Sequence, residues 1–325
     1  MSEGIAAAVE RGDLDDLLRV IDGCCETRDW AGLRELRDRC ERALERGKQL
    51  WPAVHHAEYR LALEAPGAWA GPVLVEGAGR FTPGPLAEVA ASTHRWAELA
   101  SFAPATPTAA LCLHECVVRG EDLQGVRSPG HDPIELPRAL EPWEPRYEVA
   151  TYRSFTADFP APPMPAFADV VVPVTAERVD SGEPGRALID LVRAWTDESE
   201  ATVEVAAARG AAPAALRALG RDEVRMAEVD GALALAWMAW AAASGGRYGR
   251  RRGAATGRLD AWLTSAALVG VAGWPPPAAA LGAALDRARW FLWDGGGPVG
   301  GWSLRLAVED RTRGIAWALA AHDQA

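Results

Sequence analysis

Between Ser128 and Pro184 the chain carries prolines at 129, 133, 137, 142, 145, 160, 162, 163, 165, 173 and 184 and shows little helical period. Each proline fixes its own φ and removes a backbone donor, so neither a long helix nor a central strand can run through such a segment. The stretch divides the sequence into a helical domain, residues 1–127, and a second domain, residues 185–325. It is not composed like a disordered linker. Trp143, Tyr147, Tyr152, Phe155, Phe159 and Phe167 are interspersed in it and would be costly to leave in water. Residues 128–184 are therefore expected to form an extended segment packed on a domain surface.

At 325 residues the chain exceeds the length of about 250–300 residues at which single cores stop growing, which favours two domains. Its apolar fraction of 49% and charged fraction of 24% are those of a folded protein. The most apolar run, Ala232 to Ser244, is too short to cross a bilayer, which needs about 20 residues. The first residues, Met1-Ser2-Glu3-Gly4-Ile5, lack the basic and apolar regions of a signal peptide. The cysteines, Cys24, Cys25, Cys40, Cys112 and Cys116, are odd in number and absent from the rest of the chain, unlike a disulfide framework. These features predict a soluble cytoplasmic protein with reduced thiols and no membrane partner. A net charge of −11 opposes broad binding to nucleic acid, which needs clustered positive charge.

Lys48 is the single lysine among 34 basic residues. That scarcity leaves no G-x-x-x-x-G-K-[ST] phosphate loop and removes several large enzyme classes.

Leu14, Leu17, Leu18 and Ile21 share one helical face behind a candidate N-cap at Asp13. Trp30, Leu33, Leu36, Cys40 and Leu44 repeat the pattern, with Gly47 as its stop. A third helix is predicted from Trp51-Pro52 to about Ala65. Trp96-Ala97-Glu98-Leu99 echoes Trp30-Ala31-Gly32-Leu33, either as a repeated helix pair or as two uses of tryptophan as a core anchor. After Gly185 the pattern predicts a helix over 186–195, a strand over 202–207, a helix over 212–219 and a strand over 224–229, read as a parallel βαβ unit. Helices over 231–244, 256–269 and 278–293 follow, with a hairpin pairing 303–308 with 314–319. The expected fold is α+β: a helical N-terminal array followed by a small α/β domain with a short mixed sheet.

The strongest candidate for chemistry is the glycine- and arginine-rich segment from Ser244 to Arg258. Backbone N–H groups at a helix N-terminus favour an anion, and Arg247, Arg250, Arg251, Arg252 and Arg258 add bidentate donors for a phosphate or carboxylate. The alternative is that these arginines pair with the protein's own acids or pack on Trp237, Trp240 or Trp262. The sequence Cys112-Leu113-His114-Glu115-Cys116 places two cysteines one helical turn apart. His114 points off their face and no second cysteine pair exists, so they read as core residues rather than zinc ligands. Adjacent His55 and His56 face different directions on a helix and cannot jointly hold a metal. Gly77-Ala78-Gly79 and Gly295-Gly296-Gly297 read as turns. No metal and no cofactor is expected.

The stretches Val75-Glu76-Gly77-Ala78-Gly79-Arg80-Phe81, His114 to Asp122 and Ala239 to Arg258 resemble those of an uncharacterised family of hypothetical proteins from high-GC bacteria. The resemblance spans most of the chain and implies a shared architecture but no activity. With no catalytic signature, the leading expectation is a non-catalytic intracellular binding or scaffold protein with a protein partner. The alternative is an enzyme or sensor that binds a phosphorylated or carboxylated small molecule at the Gly/Arg loop.

Overall fold

The computed structural model describes residues 2–296 and 302–323. The chain forms two compact units, Met1–Ile134 with Val149–Phe159, and Glu135–Glu148 with Pro160–Ala325.

The first unit is helical: α1 (Ser2–Arg11), α2 (Leu14–Glu26), α3 (Trp30–Glu45), α4 (Trp51–Glu64), α5 (Gly67–Ala70), α6 (Leu86–Ala91), α7 (Trp96–Leu99) and α8 (Pro107–Val118). Asp13 starts α2 by accepting the Asp15 and Asp16 N–H groups at 3.0 and 3.2 Å, which satisfies donors that have no partner inside the helix. Asp29 does the same for α3 through Gly32 N at 3.0 Å, and Pro52 occupies the first turn of α4. The helical period then decides what is buried. Leu17 and Ile21, Leu33, Leu36 and Cys40, and Ala53, Ala57 and Leu61 form one core. Trp96 opens a helix of 4 residues whereas Trp30 opens one of 16, so the two copies of the tryptophan motif begin unlike elements.

A small hairpin completes this unit, β1 (Thr151–Tyr152) and β2 (Ala157–Asp158), with Thr151 opposite Asp158. Tyr152 donates to the buried Glu88 carboxylate of α6 at 2.6 Å. Tyr59 of α4 donates to the Arg153 carbonyl at 2.5 Å. These two phenols pin the hairpin, whose tip is Ser154-Phe155, onto the helices. Phe155 itself does not find the burial that its type predicts; it stays exposed at that tip.

The second unit carries β3 (Ala168–Val170), β4 (Arg178–Val179), α9 (Gly182–Leu191), α10 (Arg193–Asp197), β5 (Thr202–Arg209), α11 (Ala212–Ala218), β6 (Val224–Val229), α12 (Gly231–Ala243), α13 (Ala254–Val269), α14 (Ala278–Arg287), β7 (Arg289–Asp294), β8 (Trp302–Asp310) and β9 (Ile315–Asp323). Its sheet runs in the order β3-β6-β7-β8-β9-β5-β4. The chain is thus α+β, helices first and a sheet after. The β8–β9 hairpin forms as expected, with Asp310 opposite Ile315. Its turn is closed by Asp310 accepting the Thr312 and Arg313 N–H groups at 2.8 and 3.0 Å.

Two expectations are corrected here. The strand–helix–strand run β5-α11-β6 exists, but its strands are not neighbours. Three later strands stand between them, and each ladder is antiparallel. The helix expected over 278–293 ends at Arg287, and Trp290 and Trp293 lie on β7. Period-2 alternation separates the two tryptophans. Phe291 and Trp293 join the core under α11, whereas Trp290 donates to the Leu285 carbonyl of α14 at 3.0 Å.

Helix α12 is apolar nearly all round, as a helix buried on every side must be. It packs on α13 so closely that a Cβ on Gly257 would stand 2.3 Å from the Ala239 carbonyl oxygen.

Candidate functional site

The Gly/Arg loop is a nest of backbone donors, and the chain's own side chains fill it. Arg247 N donates to Asp323, Tyr248 N to Ser199 Oγ at 3.3 Å and Arg250 N to Glu198 Oε2 at 2.9 Å. Gly246 sits at φ +75° with the Asp323 carboxylate against its backbone, a position without room for a Cβ. An incoming anion at these N–H groups would compete with Asp323, Ser199 and Glu198. Of the side chains, Arg247 is exposed over the Tyr248 ring at 4.7 Å, and Arg250 is also exposed. Arg251 is half-buried, and Arg252 pairs with Asp260 at 2.6 Å.

Arg258 stands apart from the other four. Its side chain is 1% exposed and faces Glu144 at 0%. The guanidinium grips that carboxylate in bidentate fashion, Nε to Oε2 and NH2 to Oε1, both at 2.7 Å. Its remaining donors meet the Pro137 and Ala139 carbonyls at 2.9 and 3.2 Å. Glu144 also accepts Tyr147 Oη at 2.7 Å and Trp262 Nε1 at 3.0 Å. Burial pushes the Glu144 carboxyl up, and the Arg258 guanidinium more than reverses that, so its pKa ends below the ordinary value. Arg258 thus holds residues 135–148 in the second unit, with its donors committed to that task.

A different arrangement appears on the helical unit. Trp51, His55 and Tyr59 stand one turn apart on α4, with Pro52 and His56 beside them. Phe81 and Pro83 come from the loop ahead of α6, Leu18 from α2, and Phe155 from the hairpin tip; together they line a cavity of about 270 Å³. Trp51, Phe81 and Phe155 remain 39%, 53% and 63% exposed. Phe81 lies 4.5 Å from Trp51 and 5.4 Å from His55 between ring centroids, and Phe155 stacks on His56 at 5.3 Å.

The walls are held from behind. Glu58, 2% exposed, accepts Arg37 Nε and NH2 at 3.0 and 2.7 Å and the Gly79 N–H at 2.7 Å. His55 Nδ1 stands 3.2 Å from both the Arg80 backbone N–H and Glu58 Oε2, so the ring is tied to the loop and to the buried carboxylate at once. Gly79 takes φ +62°, and a Cβ there would stand 2.4 Å from Leu86 Cγ. The run Gly77-Ala78-Gly79-Arg80-Phe81 is therefore the device that delivers Phe81 to the cleft. His56 is held below its ordinary pKa by burial and by the Arg60 cation, so it stacks as a neutral ring at pH 7.

The Cys112–Cys116 segment lies on α8 with both thiols buried and free. The thiol of Cys116 is pushed up by its hydrogen bond with Cys112 and by burial, and a thiol so held is a poor nucleophile. His114 Nε2 meets both oxygens of Asp132 at 3.0 Å and ties the 131–134 turn to α8. Gly295 and Gly296 precede β8 in sequence, and Gly297 lies outside the described residues.

A family model described as a family of unknown function (DUF6183) matches residues 15–325. The chain belongs to this family. No curated protein and no solved structure matches it. For this DUF6183 member the chemistry of the cleft rests on its own geometry.

The cleft residues were dispersed in the sequence. Trp51 read as a helix start, Phe155 as an aromatic of the proline-rich segment and Gly79 as a turn. The signal that could have joined them is weak: aromatics flanked by turn residues, spread over about a hundred positions.

Proposed function

We propose that this chain is a non-catalytic binding protein whose helical unit receives one side chain of a protein partner in the Trp51–Phe81–Phe155 cleft. The observation that carries the reading is the exposure of these three aromatics around one cavity; Leu14 and Phe102, the other large apolar side chains exposed in this unit among the described residues, do not line it. Exposed aromatic surface costs free energy in water, and partly exposed Trp is the residue type most enriched at binding hot spots. The cavity is smaller than the ~300–1,000 Å³ of small-molecule clefts, and it suits an aromatic or large aliphatic side chain.

The hydroxyls at the cleft support binding over catalysis. Thr82 Oγ1 faces the Gly79 and Gly84 carbonyls at 2.7 Å, Tyr59 donates to Arg153, and Ser154 donates to Glu64 at 3.3 Å. Each is spent on holding the walls, and none bonds to His55 or His56.

Ligand-observed NMR with N-acetyl-tryptophanamide and N-acetyl-phenylalaninamide on the full chain tests the reading. Saturation transfer to the aromatic probes is expected, with loss of at least about tenfold in affinity for Trp51→Ala and for Phe155→Ala, the scale of a truncated hot spot. Equal transfer from both variants would remove the cleft as the binding site.

A further inference from the structure

We infer that the partner segment is acidic beside its anchoring side chain; the inference rests on the cleft reading given above. Most cations near the cleft are neutralised by carboxylates of the same unit. Arg19 pairs with Asp16, Arg37 with Glu58 and Glu41, and Arg60 with Asp22 and Glu64. Arg80 and Arg153 differ from them. Arg80 immediately precedes Phe81, and its guanidinium lies 5.9 Å from the centroid of that ring. Arg153 immediately precedes the hairpin tip Ser154-Phe155 and uses only its backbone, its carbonyl accepting Tyr59 and its N–H donating to the Thr156 carbonyl. Both residues are exposed, and among the described residues neither guanidinium meets a carboxylate.

Two arginines whose guanidiniums meet no carboxylate among the described residues thus adjoin the aromatic cleft, Arg80 over the Phe81 ring and Arg153 two residues before Phe155, while Asp22 and Glu64 share Arg60 beside Phe155, in a chain of net charge −11. That net charge repels an acidic peptide at long range, but surface charges further than about 8 Å are screened at physiological salt. Contact is governed by the local cations, and Arg binds carboxylates in bidentate geometry. His56 adds nothing to either sign, because burial and Arg60 keep it neutral. The complementary occupant is a peptide segment with a bulky side chain for the cleft and Asp or Glu within a few residues on each side. A basic segment would place its own cations against Arg80 and Arg153, and rim charges of this kind set specificity and salt dependence.

The test uses two synthetic pentapeptides with a central tryptophan, flanked by glutamates in one and by lysines in the other. They are titrated against the full chain by fluorescence anisotropy. The glutamate peptide is expected to bind about tenfold tighter, and the advantage to shrink as salt rises towards 1 M, where screening reaches about 3 Å. Arg80→Ala with Arg153→Ala, both exposed and thus neutral for folding, should abolish the preference while leaving residual binding that Trp51→Ala removes. Equal binding of both peptides, or a preference unchanged in the double variant, overturns the acidic partner and leaves the cleft reading standing. No binding of either peptide together with no response of the aromatic probes overturns both.

Discussion

Replacing Glu144 by alanine removes the counter-ion of a guanidinium that is 1% exposed. Four donor contacts fix Arg258 in place, two to Glu144 at 2.7 Å and two to backbone carbonyls at 2.9 and 3.2 Å. A cation left buried without its partner destabilises by about 3–5 kcal/mol. The orphaned Tyr147 hydroxyl and Trp262 indole would each add about 1–3 kcal/mol if water did not reach them, so the lower bound is the firmer figure. The expected loss for Glu144→Ala is therefore at least about 3 kcal/mol, and it should fall on the second unit. Urea unfolding combined with hydrogen exchange resolves it, with residues 135–148 and α13 losing protection together. Glu144→Leu combined with Arg258→Met should recover the part of the loss due to the unpaired buried cation, because an apolar replacement of a buried pair is often neutral or stabilising, while the Tyr147 hydroxyl and Trp262 indole stay orphaned. The pair also fixes a pH dependence. The folded Glu144 carboxyl titrates below its ordinary value of 4.5, so its contribution is complete above pH 4.5 and is lost as pH falls through the folded value. Glu144→Gln should flatten that acid limb. A cost for Glu144→Ala under about 1 kcal/mol, the worth of a surface ion pair, would refute the clamp.

Two further outcomes are expected. In an open helix, Gly257→Ala would stabilise by about 0.8–1 kcal/mol, but here the new Cβ meets the Ala239 carbonyl at 2.3 Å and the Ala243 Cβ at 2.9 Å. The sign reverses to a loss of roughly 1–3 kcal/mol, read as a lower Tm, and a raised Tm would mean that α12 and α13 do not touch there. His56 has a folded pKa below 6.5, so the helical unit should lose stability as pH drops from about 6.5 through that folded value, the unfolded chain binding the proton more readily. Melting at pH 7.5 and 5.5 measures the slope; His56→Gln should lessen it, and an unchanged slope would assign the effect to another group.

Local features carried through from residues to structure, and pairings did not. Asp13 caps α2, Pro52 opens α4 and the hairpin of β8 and β9 forms where alternation placed it, because each signal lies within one element. The β5-α11-β6 run has the local pattern of a parallel unit, and local sequence cannot reveal that β7, β8 and β9 stand between its strands. Trp290 and Trp293 satisfied helical spacing by coincidence, since a short apolar run obeys either period. Arg258 finds Glu144 at a separation of 114 residues, and no spacing rule reaches so far. The cleft was illegible for the same reason: Trp51, Phe81 and Phe155 meet only after Glu58 has anchored one loop and Tyr59 another.

The placement of β7, β8 and β9 bears on how the second unit is made by the ribosome. They take the three central positions of seven, although they are translated after the four strands that flank them. Until residues 289–323 have left the exit tunnel, β3 with β6 and β4 with β5 are two separate pairs with no sheet between them. The nascent second unit must therefore wait with unpaired strand edges and with α11 lacking its packing against β8 and β9, conditions that favour aggregation and chaperone capture. Its contacts also join residues far apart in sequence, Val203 with Ala321 among them, and such non-local pairing makes folding slow. The helical unit has no such delay except at its hairpin, and it can assemble while the rest of the chain is still being synthesised.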